Sequence, residues 1–122
     1  MNIRTGIDAV DLPRFRLALQ RTPQMSRRLF TDDEVQSVAG RPESLAARFC
    51  VKEATMKLLG VGLGAVRFQE IETLRLASGA PLLRLSGTAA RLARDCGCVE
   101  FALSLTHTKL LAIAHVVALI EG

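Results

Sequence analysis

Between residues 43 and 59, the apolar side chains recur with the period of an α-helix. A helix rotates by about 100° per residue, so one stripe of this segment carries Leu45, Ala46, Phe49, Cys50 and Met56. A stripe of this width is typical of a helix that faces a protein core. The pattern predicts a long central helix from Glu43 to Leu59, which Gly60 ends.

Two charged residues, Glu53 and Lys57, fall inside this apolar stripe rather than opposite it. Burial of a carboxylate is unfavourable unless a cation or a hydrogen-bond donor accompanies it. The residues alone leave three explanations open for Glu53: an i,i+4 ion pair with Lys57, a helix end that emerges from the core, or a ligand for a hard cation or a base in a cleft.

The segments before this helix predict one strand and two shorter helices. Ile3–Val10 has the pattern of a short strand. Asp11 can cap a following helix that has a proline in its first turn and runs to about Leu19–Arg21. The segment Thr22–Arg28 is predicted to be irregular, and the capping box Thr31–Glu34 then starts a short helix.

The segments after the central helix predict antiparallel strands with one helix inserted. Val66–Ala77 is predicted as a strand with a bulge, joined by a turn to a hairpin partner over Leu82–Leu85. A short helix over Thr88–Asp95 follows. Val99–Leu105 alternates between apolar and polar residues, as a half-buried strand does, whereas Leu110–Ile120 is almost wholly apolar, as in a strand covered on both faces.

Together, these elements predict one α+β domain over residues 1–122, with an antiparallel β-sheet packed against a long central helix and shorter helices. Apolar residues make up 49% of the chain, enough for a core, but no segment has the run of about 18 uncharged apolar residues that a membrane span needs. No secretory signal is visible at the start. Three cysteines, an odd number, then indicate reduced thiols and a cytoplasmic location.

Positive charge is concentrated near the beginning of the chain. The net charge is +4 and the pI is about 9.5, and one short window carries Arg14, Arg16, Arg21, Arg27 and Arg28. This balance favours an acidic partner. One alternative is therefore a non-catalytic basic module that binds nucleotides or nucleic acid. The absence of Trp and Tyr argues against it, because single-strand binding platforms stack bases on aromatic rings. We expect neither nucleic acid nor membrane as a partner.

Three short motifs stand out in order along the chain: Gly6-Ile-Asp8, Arg48-Phe-x-x-Lys-Glu53-Ala-x-x-Lys57 and Ser104-Leu-Thr-His107. Their order and spacing resemble the holo-acyl-carrier-protein synthases, the short class of 4′-phosphopantetheinyl transferases. The resemblance spans the whole chain and implies the 4′-phosphopantetheinyl transferase fold. The chain departs from the family at Cys50-Val51, where small residues are usual, and at Ala102-Leu103, where His-Val is frequent.

The resemblance implies transfer of the phosphopantetheine arm of coenzyme A to a serine of an apo acyl carrier protein, with release of adenosine 3′,5′-bisphosphate. Mg²⁺ suits this reaction because it takes carboxylate and phosphate oxygens as ligands. Asp8, which alone would pass for an ordinary strand-end or turn residue, and Glu53 are the carboxylates implied to bind it. Glu53 is also a candidate base for the serine proton. Lys57 would balance phosphate charge and protonate the leaving group.

The remaining site residues are also implied by the resemblance. The expected contacts to coenzyme A come from Lys57, Gly60, Gly62, Gly79, Pro81 and His107. For His107 the alternative is a polar turn histidine, and His115 is expected to be a core or interface residue. The glycine-rich loop would let backbone N–H groups approach phosphate.

The resemblance also suggests how the protein meets its partners. Arg14, Arg21 and Arg28 are expected to contact carboxylates of the acidic carrier protein, the alternative being an ordinary solvated basic face. The family is typically trimeric with sites at subunit junctions, so a homotrimer is expected. Carriers of fatty acid, polyketide or peptide synthesis are all candidate substrates.

Overall fold

The structure, a computed structural model, describes residues 2–121 and contains both helices and antiparallel strands. In chain order, the elements are β1 (Asn2–Asp11), α1 (Leu12–Arg21), α2 (Gln24–Leu29), α3 (Asp32–Ser37), α4 (Pro42–Leu59), β2 (Ile71–Arg75), β3 (Pro81–Leu85), α5 (Gly87–Asp95), β4 (Cys98–His107) and β5 (Leu111–Ile120). This architecture confirms the predicted α+β class.

The strands form two antiparallel sheets, one with the order β1-β5-β4 and one consisting of the β2–β3 hairpin. The long helix α4 covers one face of the three-stranded sheet, which we call the inner face. There β5 contributes the fully buried side chains of Ala112, Ala114, Val116 and Ala118. Since these are small, the helix can lie close to the sheet and carry its own side chains to the neighbouring strand β1.

Gly6 marks the closest approach of α4 to β1. A Cβ atom on this residue would overlap the carbonyl oxygen of Ala54, and it would lie only 2.9 Å from the Ala54 carbonyl carbon. Only glycine permits this contact, because any side chain would push the helix away. The contact fixes the position of α4 relative to Asp8, two residues farther along the strand.

Several predicted helix ends are confirmed in atomic detail. The Asp11 side chain accepts a hydrogen bond from the backbone N–H of Arg14 and caps α1. Thr31 and Glu34 form a reciprocal capping box at the start of α3. Gly60 ends α4 in the left-handed conformation, with φ of 75°. These ends depend on contacts between residues close in sequence, which is why the pattern predicts them.

Two local predictions are wrong. The segment predicted to be irregular over Thr22–Arg28 contains helix α2. The strand predicted over Val66–Ala77 begins only at Ile71, because Phe68–Glu70 forms a 3-10 turn in which the Glu70 carboxylate accepts the backbone N–H of Arg67.

The predicted bulge in this strand is also absent from the described residues. The ladder between β2 and β3 is regular from Ile71 opposite Leu85 to Arg75 opposite Pro81. The irregularity in strand pairing lies instead near the start of β4, between Cys98 and Glu100.

A buried ion pair anchors the middle of α4. Lys52 and Glu34 have fully buried side chains, and the Nζ of Lys52 donates to Glu34 Oε1 over 2.7 Å. The same ammonium donates to the carbonyl oxygens of Phe68 and Ile71, which uses all three of its protons. This arrangement ties α3 and the entry to β2 to one position on α4.

Among residues 2–121, no helix covers the opposite, outer face of the three-stranded sheet. This face carries exposed apolar side chains, including Ile3 (66% exposed) and Ile7 (59% exposed). His115 lies on this face, exposed, where its Nε2 is 2.7 Å from the Thr5 hydroxyl. The prediction that the last strand is covered on both faces therefore holds for the inner face only, because a single chain leaves the outer face open.

Candidate active site

Asp8 and Lys57 come together where α4 crosses β1. Lys57 Nζ donates to Asp8 Oδ1 and to the backbone carbonyl oxygen of Ile7, both over 3.0 Å. The Asp8 side chain is 17% exposed and that of Lys57 is 56% exposed, so the pair lies at the surface and is open to a ligand. The strand and the helix thus bring together two charged groups separated by 49 positions in the sequence.

Glu53 completes this group, one helical turn before Lys57 and half-buried. Burial raises the pKa of the Glu53 carboxyl above its ordinary value, and the negative charge of Asp8 raises it further, whereas the charge of Lys57 acts in the opposite direction. The effect of Asp8 on Glu53 places the two carboxylates in each other's electrostatic field. We call Asp8, Glu53 and Lys57 the carboxylate cluster.

The structure argues against two of the explanations left open for Glu53. Among the ion pairs of residues 2–121, Lys57 is paired with Asp8 and not with Glu53. Glu53 also lies well inside α4, six residues before the helix ends at Leu59, so it is not a helix-end residue. What remains is a carboxylate half-buried beside another carboxylate. Such an arrangement is typical of a cation or proton-transfer site.

The carboxylate cluster fits a hard divalent cation by the chemistry of its donors. Mg²⁺ is usually held by one or two carboxylates, together with waters and substrate phosphates. Asp8 and Glu53 supply two such carboxylates. In the part of the chain that the structure describes, no group of three or more His, Cys, Asp or Glu side chains gathers as a metal cage. Two carboxylates match the number that Mg²⁺ usually takes from a protein.

Cys50 lies beside the cluster, but its thiol is buried and stays protonated at neutral pH. Its side chain is fully buried, and its Sγ donates to the carbonyl oxygen of Ala112 over 3.3 Å. Burial, together with the charges of Asp8 and Glu53, raises the pKa of the Cys50 thiol to about 12. Cys50 and its neighbour Val51, both fully buried, fill the positions where the resembled family has small residues.

A second polar site surrounds His107. His107 is exposed at the end of β4 and lines a cleft of about 280 Å³ together with Arg48, Arg75 and Thr106. Arg48 is completely buried, and within residues 2–121 its Nε and Nη1 atoms have no hydrogen-bond partner. Burial and the neighbouring charge of Arg75 lower the pKa of the Arg48 guanidinium. A buried cation with unused donors beside a second arginine is the environment that an anion stabilises. We call this the arginine cleft.

The predicted glycine and proline residues lie in two places, the loop after α4 and the turn of the β2–β3 hairpin. Gly60 and Gly62 lie in the loop after α4, where a Cβ atom at either position would meet no atom within 4 Å. Gly79 is at the tip of the β2–β3 hairpin, and Pro81 begins β3. Arg75 Nη1 donates to the Gly79 carbonyl oxygen over 2.8 Å, so the hairpin tip is attached to the arginine cleft.

The predicted docking arginines are all exposed. Arg14 and Arg21 lie on α1. Arg28 lies at the end of α2, where it lines an open cleft with Arg27 and Arg67. Sequence reasoning did not predict the roles of Arg48 and Arg75, because their placement depends on the packing of α4 against the hairpin. The sequence feature that could have indicated Arg48 is its position next to the apolar stripe of the central helix.

Over residues 2–121, no helix is both long and apolar enough to cross a membrane.

Comparison with known proteins gives a consistent result. The sequence model of the 4′-phosphopantetheinyl transferase superfamily matches residues 4–106. The chain is 41% identical to the holo-[acyl-carrier-protein] synthase of Moorella thermoacetica, over 98% of this chain and 94% of that one. It is 44% identical to that of Frankia alni, over 95% and 96% of the respective chains. The solved ACPS–CoA complex of Chronobacterium ammoniagenes superposes with a TM-score of 0.89 and 30% identity over both complete chains.

Proposed function

Since this chain belongs to the 4′-phosphopantetheinyl transferase superfamily, as a holo-[acyl-carrier-protein] synthase, we propose that it transfers 4′-phosphopantetheine from coenzyme A to a serine of an apo acyl carrier protein, with Mg²⁺ and with release of adenosine 3′,5′-bisphosphate. This enzyme assignment replaces the alternative of a non-catalytic basic module. Carriers of fatty acid, polyketide or peptide synthesis are the proposed substrates, and the three free cysteines are consistent with a reducing cytoplasm.

The observation that supports this proposal best is the carboxylate cluster. A pyrophosphate carries negative charge that repels an attacking oxygen, so the site must neutralise this charge before the serine approaches. Lys57 provides one positive charge at the cluster. Asp8 and Glu53 would hold Mg²⁺, which when bound supplies further positive charge next to the phosphates.

The proton steps are assigned to the same three residues. The raised pKa of Glu53 makes its carboxylate a stronger base than an exposed one, and we assign to it the removal of the serine proton. The ammonium of Lys57 would orient the phosphate and donate a proton to the departing adenosine 3′,5′-bisphosphate. Asp8 would position Lys57 through the hydrogen bond between them.

A direct transfer assay tests the proposed function. The protein is incubated with Mg²⁺, coenzyme A and a panel of apo carrier proteins, and the intact mass of each carrier is measured. Transfer should raise the mass of a substrate carrier by roughly 340 Da. Replacement of the carrier's acceptor serine by alanine is the control that should abolish the increase. An unchanged mass for all carriers would overturn the proposal.

We assign the arginine cleft to a phosphate group of coenzyme A. Arg48 offers two nitrogen atoms of a buried guanidinium, Nε and Nη1, that have no partner within residues 2–121, and Arg75 and His107 line the same cleft. Planar guanidinium groups bind phosphate through paired hydrogen bonds that are stronger than those between neutral groups. Gly79 and Pro81 would then lie at the nucleotide end, since Arg75 connects the hairpin tip to this cleft.

Replacing Arg75 with Ala should weaken the binding of coenzyme A without disabling the chemistry. Arg75 is exposed, so the fold should tolerate the change, and the lost contact should raise the KM for coenzyme A about tenfold while kcat changes little. Steady-state kinetics with varied coenzyme A measure both constants. Arg91→Ala on the exposed side of α5 is the matched control. An unchanged KM in Arg75→Ala would remove the arginine cleft from the binding site.

Carrier docking is assigned to the exposed arginines of α1 and α2. Arg14, Arg21 and Arg28 would meet carboxylates on the carrier surface, and neighbouring Arg27 and Arg67 extend the positive surface around Arg28. Charges at the rim of an interface mainly increase the rate of encounter and determine partner choice. This contribution should weaken at high salt concentration.

We propose a homotrimer with composite sites because the carboxylate cluster and the arginine cleft face different directions. Arg48 and Glu53 are five residues apart on α4, which separates them by about 140° around the helix axis. One coenzyme A molecule would reach both if a second copy supplied the arginine cleft. The uncovered outer face of the sheet, with exposed Ile3 and Ile7, is the surface we assign to that contact.

Disruption of this outer face should therefore affect assembly and activity together. Replacing Ile7 with Glu places a charge on the apolar surface and should convert the trimer to a monomer, with loss of transfer. Light scattering coupled to size exclusion measures the mass of the species. Val99→Glu changes an exposed apolar residue at the edge of the sheet and is the control. A wild-type protein that is monomeric at assay concentration and active would contradict the composite site.

A further inference from the structure

Two of the three cysteines lie side by side at the start of β4, away from the carboxylate cluster. Cys96 caps the end of α5, Cys98 begins β4, and Gly97 between them has φ of 81°. Gly97 donates its N–H to Arg94 and accepts the N–H of Glu121, so the turn is held from both directions. It also cannot carry a side chain, because a Cβ atom would come within 2.7 Å of the Glu121 carbonyl oxygen.

Cys96 and Cys98 are separated by a single turn residue, a spacing at which a disulfide can form. When the middle residue has a helical twist of either hand, the Cα atoms on its two sides are about 5.5 Å apart, from two virtual bonds of about 3.8 Å that meet near a right angle. Disulfides join Cα atoms at about 4.4–6.8 Å. In an extended strand the same two Cα atoms would be about 6.6 Å apart, at the upper limit of that range. The conformation of Gly97 therefore makes the pairing geometrically possible.

A cation contacts the sulfur of Cys96 and acts electrostatically on Cys98. Arg4 Nη1 donates to Cys96 Sγ over 3.5 Å and to the carbonyl oxygen of Leu58 over 3.3 Å. The positive charge of Arg4 also acts on Cys98, whose pKa is nevertheless raised by burial and by the neighbouring Cys96 thiol. The two hydrogen bonds of Arg4 tie the Cys96 sulfur to the last turn of α4.

Both cysteines are half-buried and remain reachable from solvent. Cys96, Cys98 and Arg4 lie on the same side of the sheet as α4, so a second copy on the outer face would leave them open. Cys50 offers a clear contrast within the same chain, because it is fully buried and the pKa of its thiol is raised to about 12. Only the first two thiols have the exposure needed for exchange.

We propose that Cys96 and Cys98 form a reversible redox site, which low-molecular-weight disulfides such as oxidised glutathione convert into an intramolecular disulfide. The Cys96 thiolate attacks one sulfur of the glutathione disulfide, forms a mixed disulfide and releases one glutathione. Cys98 gives up its proton and attacks Cys96 Sγ, which expels the second glutathione. The two cysteines lose two electrons and two protons, and the glutathione disulfide gains both as two free thiols.

The size of the ring predicts that this disulfide is labile. A bridge across a single residue closes a small ring, and a strained or exposed disulfide has a more oxidising potential than a structural one. Reduced glutathione should therefore return it to the dithiol. The site would respond to the ratio of oxidised to reduced thiols instead of forming a permanent crosslink.

Peptide mapping of the full-length protein after incubation with oxidised glutathione tests this inference. Trypsin cleaves after Arg94 and Lys109, so Cys96 and Cys98 share the peptide of residues 95–109, whereas Cys50 is in the separate peptide of residues 49–52. We expect the first peptide to become about 2 Da lighter and to recover with reduced glutathione, while Cys50 stays alkylatable after denaturation.

Two cysteine variants distinguish the intramolecular disulfide from other oxidation products. Cys98→Ser should stop at the mixed disulfide and gain about 305 Da on Cys96, and Cys50→Ala should behave like the wild type. Three outcomes would overturn the proposal: glutathione adducts on the wild type without the 2 Da loss, a disulfide that includes Cys50, or a disulfide-linked dimer on a non-reducing gel. Because the readout is a peptide mass, it does not depend on transfer activity.

Discussion

Replacing Glu53 with Gln is expected to reduce phosphopantetheine transfer by about a thousandfold while making the folded protein slightly more stable at neutral pH. The loss of activity follows because glutamine is neither a base nor an anionic ligand for Mg²⁺. The gain in stability follows from the raised pKa of Glu53. The folded chain holds this proton at pH values where the unfolded chain has released it, so ionisation costs more free energy in the folded state.

The sign of the stability effect gives the experiment a second readout. The stability difference between Glu53→Gln and the wild type should be present at pH 7, decrease as the pH falls through the raised pKa of the folded state, and vanish below the ordinary value of 4.5, where both states are protonated. Thermal melts without Mg²⁺ at several pH values measure it. Added Mg²⁺ should raise the melting temperature of the wild type and not that of the variant.

A matched control on the same helix is Glu43→Gln. Glu43 lies in the first turn of α4, where its carboxylate is 3.8 Å from Arg16, and the change should alter neither transfer nor the response to Mg²⁺. Retained transfer in Glu53→Gln would disprove both roles assigned to Glu53. Lost transfer together with a preserved Mg²⁺ response would leave the role as base and remove the role as metal ligand.

The sequence predicts those parts of the fold that depend on local contacts. The cap of α1 by Asp11, the Thr31–Glu34 box and the stop at Gly60 involve residues within one helical turn of each other, so their patterns can be interpreted without a three-dimensional structure. Helix α2 lacks such a signal, since no side chain caps its start at Pro23. Its apolar residue Leu29 is buried against the rest of the core, which a pattern of neighbouring residues does not reveal.

The same distinction between local and long-range contacts decides which parts of the candidate site the sequence could predict. A carboxylate inside an apolar stripe identified Glu53 as unusual, but it could not name a partner, because Asp8 lies on a distant strand. Only the folded chain shows that Gly6 admits the backbone of α4 at Ala54. Arg48 and Lys52 lie in the central helix as ordinary charged residues by sequence alone. Their burial depends on the hairpin and on α3, which contact the helix only in the folded chain.

The second large effect that we expect is a loss of stability when Lys52 is replaced. Lys52→Met should lower the free energy of unfolding by about 3–5 kcal/mol, because the buried Glu34 carboxylate loses its cation and the carbonyls of Phe68 and Ile71 lose their donor. Glu34 would keep two hydrogen bonds, from the backbone N–H groups of Thr31 and Thr73, which is too few to compensate its charge. Urea unfolding followed by circular dichroism measures the change.

The comparison with Lys57→Met isolates burial as the cause. Lys57 lies on the same helix and also pairs with a carboxylate, but its side chain is 56% exposed, so its loss should cost less than about 1 kcal/mol. Combining Lys52→Met with Glu34→Gln should recover part of the stability, since the change removes the buried charge and the amide oxygen keeps an acceptor for one of the two backbone donors. Equal losses in the two lysine variants, or no recovery in the double variant, would mean that packing rather than the ion pair holds α3 against α4.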